Sequence, residues 1–211
     1  MSQTIDQMLA IAPVMPVLVI EKLESAVPLA RCLAEAGLPV LEITMRTPVA
    51  LDAVKAIRAQ LPNLVVGVGT VLKPSDVENA KNAGAQFMVS PGTTDSLIDS
   101  ARRSGVPFLP GVATPSEAMR LYEQGFTYLK FFPAESAGGI PMLRSLAGPL
   151  PQLRFCPTGG IELKNAPDYL ALKNVVCVGG SWMAKSEWIA NGQWDNIGNE
   201  ARRAAQLSRH K

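Results

Sequence analysis

Histidine is almost absent from this 211-residue chain, and its one occurrence, His210, is the penultimate residue. That scarcity removes a large part of ordinary enzyme chemistry. Ser-His-Asp and Cys-His relays need an imidazole held in fixed geometry, catalytic zinc draws heavily on histidine, and chain ends rarely hold such geometry. Cysteine is nearly as scarce. Cys32, Cys156 and Cys177 are odd in number and far apart, so neither a disulfide framework nor a metal-type pairing is expected, and the thiols are read as reduced. An excess of one charge is missing too: 20 Lys and Arg stand against 18 Asp and Glu, a net +2. No global field gathers nucleic acid or anionic membrane, so any anion site must be local. Apolar runs break well short of the about 20 residues that a membrane span requires. The opening MSQTIDQMLAIAPVMP shows neither a basic leader nor a small-residue cleavage site, and a soluble cytoplasmic protein is the expectation. Chemistry is left to Lys, Glu, Asp, Arg, Thr, Ser, Tyr and backbone dipoles, with no metal and no cofactor expected.

What the chain does have is a regular alternation of two kinds of segment. Short β-rich apolar runs fall at about Val14–Ile20, Val40–Thr44, Leu64–Gly69, Phe87–Val89, Val106–Pro110, Tyr128–Phe132, Leu153–Pro157 and Val175–Val178. Between them lie Ala-rich amphipathic stretches such as Glu24–Ala36, Val49–Ala59, Ser75–Ala83 and Ser116–Gln124, with apolar residues returning every three or four positions. Thr114-Pro115-Ser116-Glu117 places a capping Thr before Pro at the first helical position and Glu at the third. Gly37, Gly84, Gly105 and Gly125 stand where left-handed caps would end the helices. Repeated βα units mean a parallel sheet. Eight of them predict an α/β (β/α)₈ TIM barrel as a single domain over residues 1–211, with Thr4–Ala12 as an additional N-terminal helix closing the barrel bottom. A doubly wound sheet is the rival, but its Gly-rich dinucleotide turn is missing after the first strand, where the chain reads IEKLES.

In a barrel the carboxyl ends of the strands and the loops beyond them carry the chemistry. Lys130 stands late in the sixth run, inside Tyr128-Leu129-Lys130-Phe131-Phe132-Pro133-Ala134-Glu135. An ammonium desolvated among such neighbours loses its proton more readily and becomes a nucleophile toward carbonyls; the bland reading is a snorkelling or ion-paired lysine. Leu41-Glu42-Ile43-Thr44-Met45-Arg46 alternates, which puts Glu42, Thr44 and Arg46 on one inward face. A carboxylate and a guanidinium there suit acid/base work and a carboxylate clamp, against a purely structural Glu42–Arg46 ion pair. Thr70 ends the third run beside two glycines and by itself says little. Two glycine pairs, Gly159-Gly160 after run seven and Gly179-Gly180 before Ser181 after run eight, stand where barrels bind phosphate through free backbone N–H groups. A third, Gly138-Gly139, shapes the loop leaving run six, and Trp182, Trp188 and Trp194 read as packing residues.

The stretches Leu41–Thr47, Gly67–Leu72, Ser90-Pro91-Gly92, Lys130–Glu135 and Arg154–Gly160 closely resemble the 2-keto-3-deoxy-6-phosphogluconate aldolases, and the likeness runs from about Pro13 to Trp182. The resemblance implies a class I lyase of the Entner–Doudoroff pathway that splits 2-dehydro-3-deoxy-6-phospho-D-gluconate into pyruvate and D-glyceraldehyde 3-phosphate. It implies Lys130 as the Schiff-base lysine and Glu42 as the proton-transferring carboxylate. It places Arg46, Thr70 and Thr158 at the pyruvyl end, and Gly159, Gly160, Gly180 and Ser181 at the phosphate end. It further implies a homotrimer and a second activity on 4-hydroxy-2-oxoglutarate. Rival readings are an aldolase for the C4 epimer, 2-dehydro-3-deoxy-6-phosphogalactonate, a phosphosugar epimerase or isomerase on the same barrel, and a noncatalytic phosphosugar-binding protein.

Overall fold

The structure, a computed structural model, describes residues 3–209; His210 lies outside them. In chain order the elements are α1 (Ile5–Leu9), β1 (Val14–Leu18), a 3₁₀ turn (Leu23–Ser25) running into α2 (Ala26–Glu35), β2 (Val40–Thr44), α3 (Ala50–Gln60), β3 (Val65–Gly69), α4 (Pro74–Asn82), β4 (Phe87–Val89) and α5 (Asp95–Ser104). There follow β5 (Phe108–Leu109), β6 (Gly111–Val112), α6 (Pro115–Glu123), β7 (Tyr128–Phe131), α7 (Gly139–Ala147), β8 (Arg154–Pro157), α8 (Ala166–Leu170), β9 (Val178–Gly180), α9 (Ser186–Ala190) and α10 (Trp194–Ala205).

Every strand pair is parallel, in a six-stranded sheet ordered β5-β4-β3-β2-β1-β9 and a three-stranded sheet β6-β7-β8. A bridge between Thr158 and Gly179 joins β8 to β9. Parallel pairing needs a crossover between strands, and the helices supply it while covering the outer face. Their apolar stripes do the covering: Leu29 and Leu33 of α2, Val54 and Ile57 of α3, and Leu97 and Ile98 of α5 are all buried against the sheet. Each such side chain contributes about 1.5–3 kcal/mol by leaving water.

Helix ends follow local chemistry. Thr114 Oγ1 accepts from the Glu117 N–H at 3.3 Å while the Glu117 carboxylate accepts from the Thr114 N–H at 2.9 Å, a reciprocal cap with Pro115 at the first helical position. Thr94 caps α5 by accepting from Leu97 N–H at 3.4 Å, and Gly105 ends it at φ +71°.

Two strands depart from the sequence reading. The run expected at Val106–Pro110 is two short strands, Phe108–Leu109 on β4 and Gly111–Val112 on β7. Pro110 lies between them; it has no N–H to give a ladder, and its carbonyl accepts from Lys130 N–H at 2.9 Å. The last strand is Val178–Gly180 rather than Val175–Val178, with Val175 making one isolated bridge to Phe155. The helix read at Thr4–Ala12 is α1, Ile5–Leu9, whose Met8 and Leu9 pack with Met15, Val40, Val65 and Phe87 at the starts of β1 to β4.

Candidate active site

Period-two alternation sorts the strands into an outer face against the helices and an inner face. In β2, Leu41 and Ile43 belong to the helix-facing core, while Val40 joins an inner cluster with Val65, Phe87, Tyr128 and Cys156. Glu42 and Thr44 therefore point inward above Val40, and Lys130 does so above Tyr128. β2 and β7 lie in different sheets and share no ladder. Their side chains meet all the same: Lys130 Nζ stands 3.2 Å from Glu42 Oε1 and 3.5 Å from Oε2. The meeting requires the two sheets to curl toward each other at this level.

The pair is nearly dry, with side-chain exposures of 6% for Lys130 and 1% for Glu42. In low dielectric each charge is costly unless the other is present. The bland and the functional readings of Lys130 thus coincide: the lysine is ion-paired, and its partner is the carboxylate singled out for proton transfer. The Phe132 ring centroid lies 5.4 Å from Nζ and is an aromatic neighbour of the pair.

Other candidates are distributed around this pair. Thr44 spends its hydroxyl on the Leu18 carbonyl at 2.8 Å, tying β2 to β1. Arg46 lies past the end of β2, exposed, and among the described residues makes no ion pair, so a Glu42–Arg46 bridge is not formed. Thr70 follows β3 at φ +62°, in the left-handed region where a β-branched residue is strained. Thr158, buried, follows β8 and donates to the Cys156 carbonyl at 3.4 Å. Gly159 and Gly160 come next at φ +103° and +77°. The bridge from Thr158 to Gly179 draws this loop against the end of β9, so Gly180 and Ser181 lie beside it. At Gly180 a tight-packing reason stands next to any anion-binding one, since a side chain there would overlap the Trp182 ring.

Several contributors escaped the sequence reading. Gly67 makes room for the Phe87 ring and Gly69 for the Glu42 carboxylate. Ser90, buried at the end of β4, accepts from the Gly111 N–H at 3.2 Å, and Thr93 donates to the Gly111 carbonyl at 3.0 Å, fixing the strand that lies beside Lys130. Glu135 accepts a hydrogen bond from the Tyr169 hydroxyl. All three cysteines are free. Among the described residues no His, Cys, Asp and Glu side chains converge in a group able to hold a metal ion, and no helix is long and apolar enough to cross a membrane.

A curled parallel α/β sheet, with a buried lysine and glutamate meeting on its inner face and glycine-rich turns beyond its strands, has the architecture of an imine-forming aldolase. The comparisons agree. This chain belongs to the KDPG and KHG aldolase family, whose model matches residues 5–200. It is 46% identical over 201 residues to the KHG/KDPG aldolase of Escherichia coli K12, covering 95% of this chain and 94% of that protein. It is 48% identical over 179 residues to the 2-dehydro-3-deoxy-phosphogluconate aldolase of Zymomonas mobilis, covering 85% and 86%. Among solved structures, the KDPG aldolase of Legionella pneumophila, with pyruvate captured as a covalent carbinolamine, superposes with a TM-score of 0.93 at 45% identity over 95% of this chain and 98% of that one. The Zymomonas mobilis enzyme with 3-phosphoglycerate gives 0.91 at 44% identity, over 99% and 98%.

Proposed function

We propose that this chain is a class I aldolase that cleaves 2-dehydro-3-deoxy-6-phospho-D-gluconate into pyruvate and D-glyceraldehyde 3-phosphate, the aldol step of the Entner–Doudoroff pathway, and also splits 4-hydroxy-2-oxoglutarate into pyruvate and glyoxylate. The observation that carries the reading is the buried Lys130–Glu42 contact, at 3.2 Å. A lysine placed to form an imine needs a proton acceptor within hydrogen-bond reach, and Glu42 is one.

In the proposed cycle Lys130 passes a proton to Glu42 and its free amine adds to the C2 ketone, giving a carbinolamine. Glu42 returns that proton to the carbinolamine hydroxyl, which leaves as water, so that the iminium forms and the Glu42 carboxylate is restored. Glu42, directly or through a water, takes the C4 hydroxyl proton. The C3–C4 electron pair then flows into the iminium, releasing the aldehyde and leaving an enamine. Return of the proton to C3 makes the pyruvate iminium, and water frees pyruvate and regenerates the amine. Arg46 and the hydroxyls of Thr70 and Thr158 hold the carboxylate and keto end. Backbone N–H groups at Gly159, Gly160 and Gly180, with Ser181, hold the phosphate. Epimerase or isomerase chemistry would not need an apolar lysine paired with a carboxylate, which favours the aldolase.

The same reading takes residues 1–211 as one domain, a closed (β/α)₈ barrel capped below by α1, acting in the cytoplasm as a homotrimer. Closure is supported by the β8–β9 bridge and by Pro110 linking the two sheets. Light scattering after size-exclusion chromatography tests the trimer.

The function is tested by incubating the protein with pyruvate, quenching with borohydride and mapping peptides by mass. One reduced pyruvyl group on the peptide carrying Lys130 is expected; an unmodified Lys130 refutes the assignment. A lactate-dehydrogenase-coupled assay across both C4 epimers and 4-hydroxy-2-oxoglutarate then orders the substrates.

A further inference from the structure

The Tyr169 side chain is fully buried, and its hydroxyl donates a hydrogen bond to Glu135 Oε1. The two residues come from different segments of the chain. Glu135 follows β7, five residues beyond Lys130, while Tyr169 is on α8, just after the Gly159-Gly160 turn. Two backbone hydrogen bonds bind these segments at the same place. Ala134 N–H donates to Thr158 O at 2.8 Å and Glu135 N–H to Gly159 O at 3.1 Å, extending the β7–β8 ladder past both strand ends. Asn165 donates its amide to Gly160 O at 3.1 Å and accepts from Glu162 N–H at 2.8 Å, closing the turn from the other side. Gly160 lies directly on Glu135, for a Cβ there would fall 2.6 Å from Glu135 Cγ, and Gly139 lies on Tyr169, with a Cβ falling 3.0 Å from the hydroxyl oxygen.

We propose that Tyr169 and Glu135 form a latch that sets the Gly159-Gly160 turn at the height where its N–H groups meet the substrate phosphate, so that Tyr169 is a positioning residue for the phosphorylated substrate. The inference rests on the proposed function. Burial, the bond to Glu135 and the Glu135 charge push the Tyr169 hydroxyl above its ordinary value, so at neutral pH it remains a donor. The latch touches neither Lys130 nor Glu42, so imine chemistry itself does not depend on it. It acts on the end of the pocket that a phosphate reaches and that 4-hydroxy-2-oxoglutarate, which carries no phosphate and ends in a carboxylate two carbons past the scissile bond, does not.

The test measures kcat and KM on both substrates for wild type, Tyr169→Phe, Glu135→Ala and Glu135→Gln. Tyr169→Phe and Glu135→Ala should each raise KM for the phosphorylated substrate roughly tenfold, the scale of a lost charge-assisted hydrogen bond, with kcat nearly unchanged. KM for 4-hydroxy-2-oxoglutarate should stay within about twofold. Loss of the Glu135 charge alone would ease phosphate binding, so a rise in Glu135→Ala has the sign only of lost positioning. Glu135→Gln retains an acceptor for Tyr169 while losing the charge, so its KM for the phosphorylated substrate should be no higher than that of wild type. Equal losses on both substrates, or none on either, overturn the latch while leaving the aldolase reading intact. Failure of the wild type to release pyruvate from either overturns that reading and the latch with it. If Tyr169→Phe does not fold, Glu135→Ala decides the matter, because Glu135 is exposed.

Discussion

The carboxylate of Glu42 fills the space in which a side chain on Gly69 would begin: a Cβ there would lie 2.6 Å from Glu42 Cδ and overlap Oε1. Gly69 therefore belongs to the site although it carries no functional group. Its φ is not in the left-handed region, so alanine is allowed by the backbone and obstructed only by the carboxylate. A flexible side chain can move aside at small cost to the fold, but Glu42 would then leave its position beside Lys130. Gly69→Ala should keep a melting temperature within a few degrees of wild type and lose roughly 10²–10⁴-fold in kcat, the span attributed to a misplaced proton-transfer group. Calorimetry with a pyruvate-release assay checks this, and unchanged kcat would mean that Glu42 is not needed where it stands.

Lys130 and Glu42 should also show a conflict between stability and function. Removing one member of a buried ion pair leaves the other charge uncompensated and costs about 3–5 kcal/mol, whereas replacing both with apolar residues is often neutral or stabilising. Lys130→Met should thus be markedly less stable than wild type, the double variant Lys130→Met/Glu42→Leu at least as stable, and both without turnover. Glu42→Gln should still give the borohydride adduct with pyruvate while turning over roughly 10²–10⁴-fold more slowly. Urea unfolding of the four proteins measures the first claim; a double variant no more stable than Lys130→Met would contradict it.

Which parts of this architecture can be read along the chain follows from how local each determinant is. β2 and β4 have the bounds their residues suggest, Val40–Thr44 and Phe87–Val89, because each is a short β-rich run bounded by turn-forming neighbours. The division of the fifth run at Pro110 depends on which strand each half pairs with, a nonlocal choice. Val175 to Val178 is apolar throughout, so periodicity could not show that pairing gathers only at Val178. Lys130 and Glu42 stand out because a charge within an apolar strand is costly and must have a reason. The glycines at 67 and 69, which in sequence suggest room for a ligand near the backbone, make room instead for the Phe87 ring and the Glu42 carboxylate. Nothing local links Tyr169 to Glu135, 34 residues away.

Thr70, which directly follows Gly69 at the end of β3, is held at φ +62°. For a β-branched residue that conformation costs on the order of 1–3 kcal/mol, whereas glycine adopts it freely at an entropic cost of about 0.5–1 kcal/mol in the unfolded chain. Thr70→Gly should therefore raise stability by about 1 kcal/mol and weaken pyruvate binding roughly tenfold through loss of the hydroxyl. Denaturant midpoints and the pyruvate concentration needed for half-maximal borohydride trapping test the two halves. A less stable variant would show that the threonine is not strained here.

Glu117 sets an acid-side dependence of stability remote from the chemistry. Partial burial pushes its carboxyl up, but hydrogen bonds from the Ala113 N–H at 2.8 Å and from the Thr114 hydroxyl and N–H outweigh burial and hold it below the usual glutamate value. A carboxyl whose folded value is depressed contributes stability that is complete above its unfolded value, roughly 4.3, and is lost as pH falls through the folded value. Glu117→Gln keeps an acceptor at the start of α6 but loses the charge, and with it about 0.3–1 kcal/mol at neutral pH. The gap between wild type and variant should be constant from pH 7 down to about 5 and then close as the wild-type carboxylate takes up its proton. Urea unfolding across that range reads it directly; a gap that widened toward low pH would require the folded value to lie above the unfolded one, opposite to what the three hydrogen bonds impose.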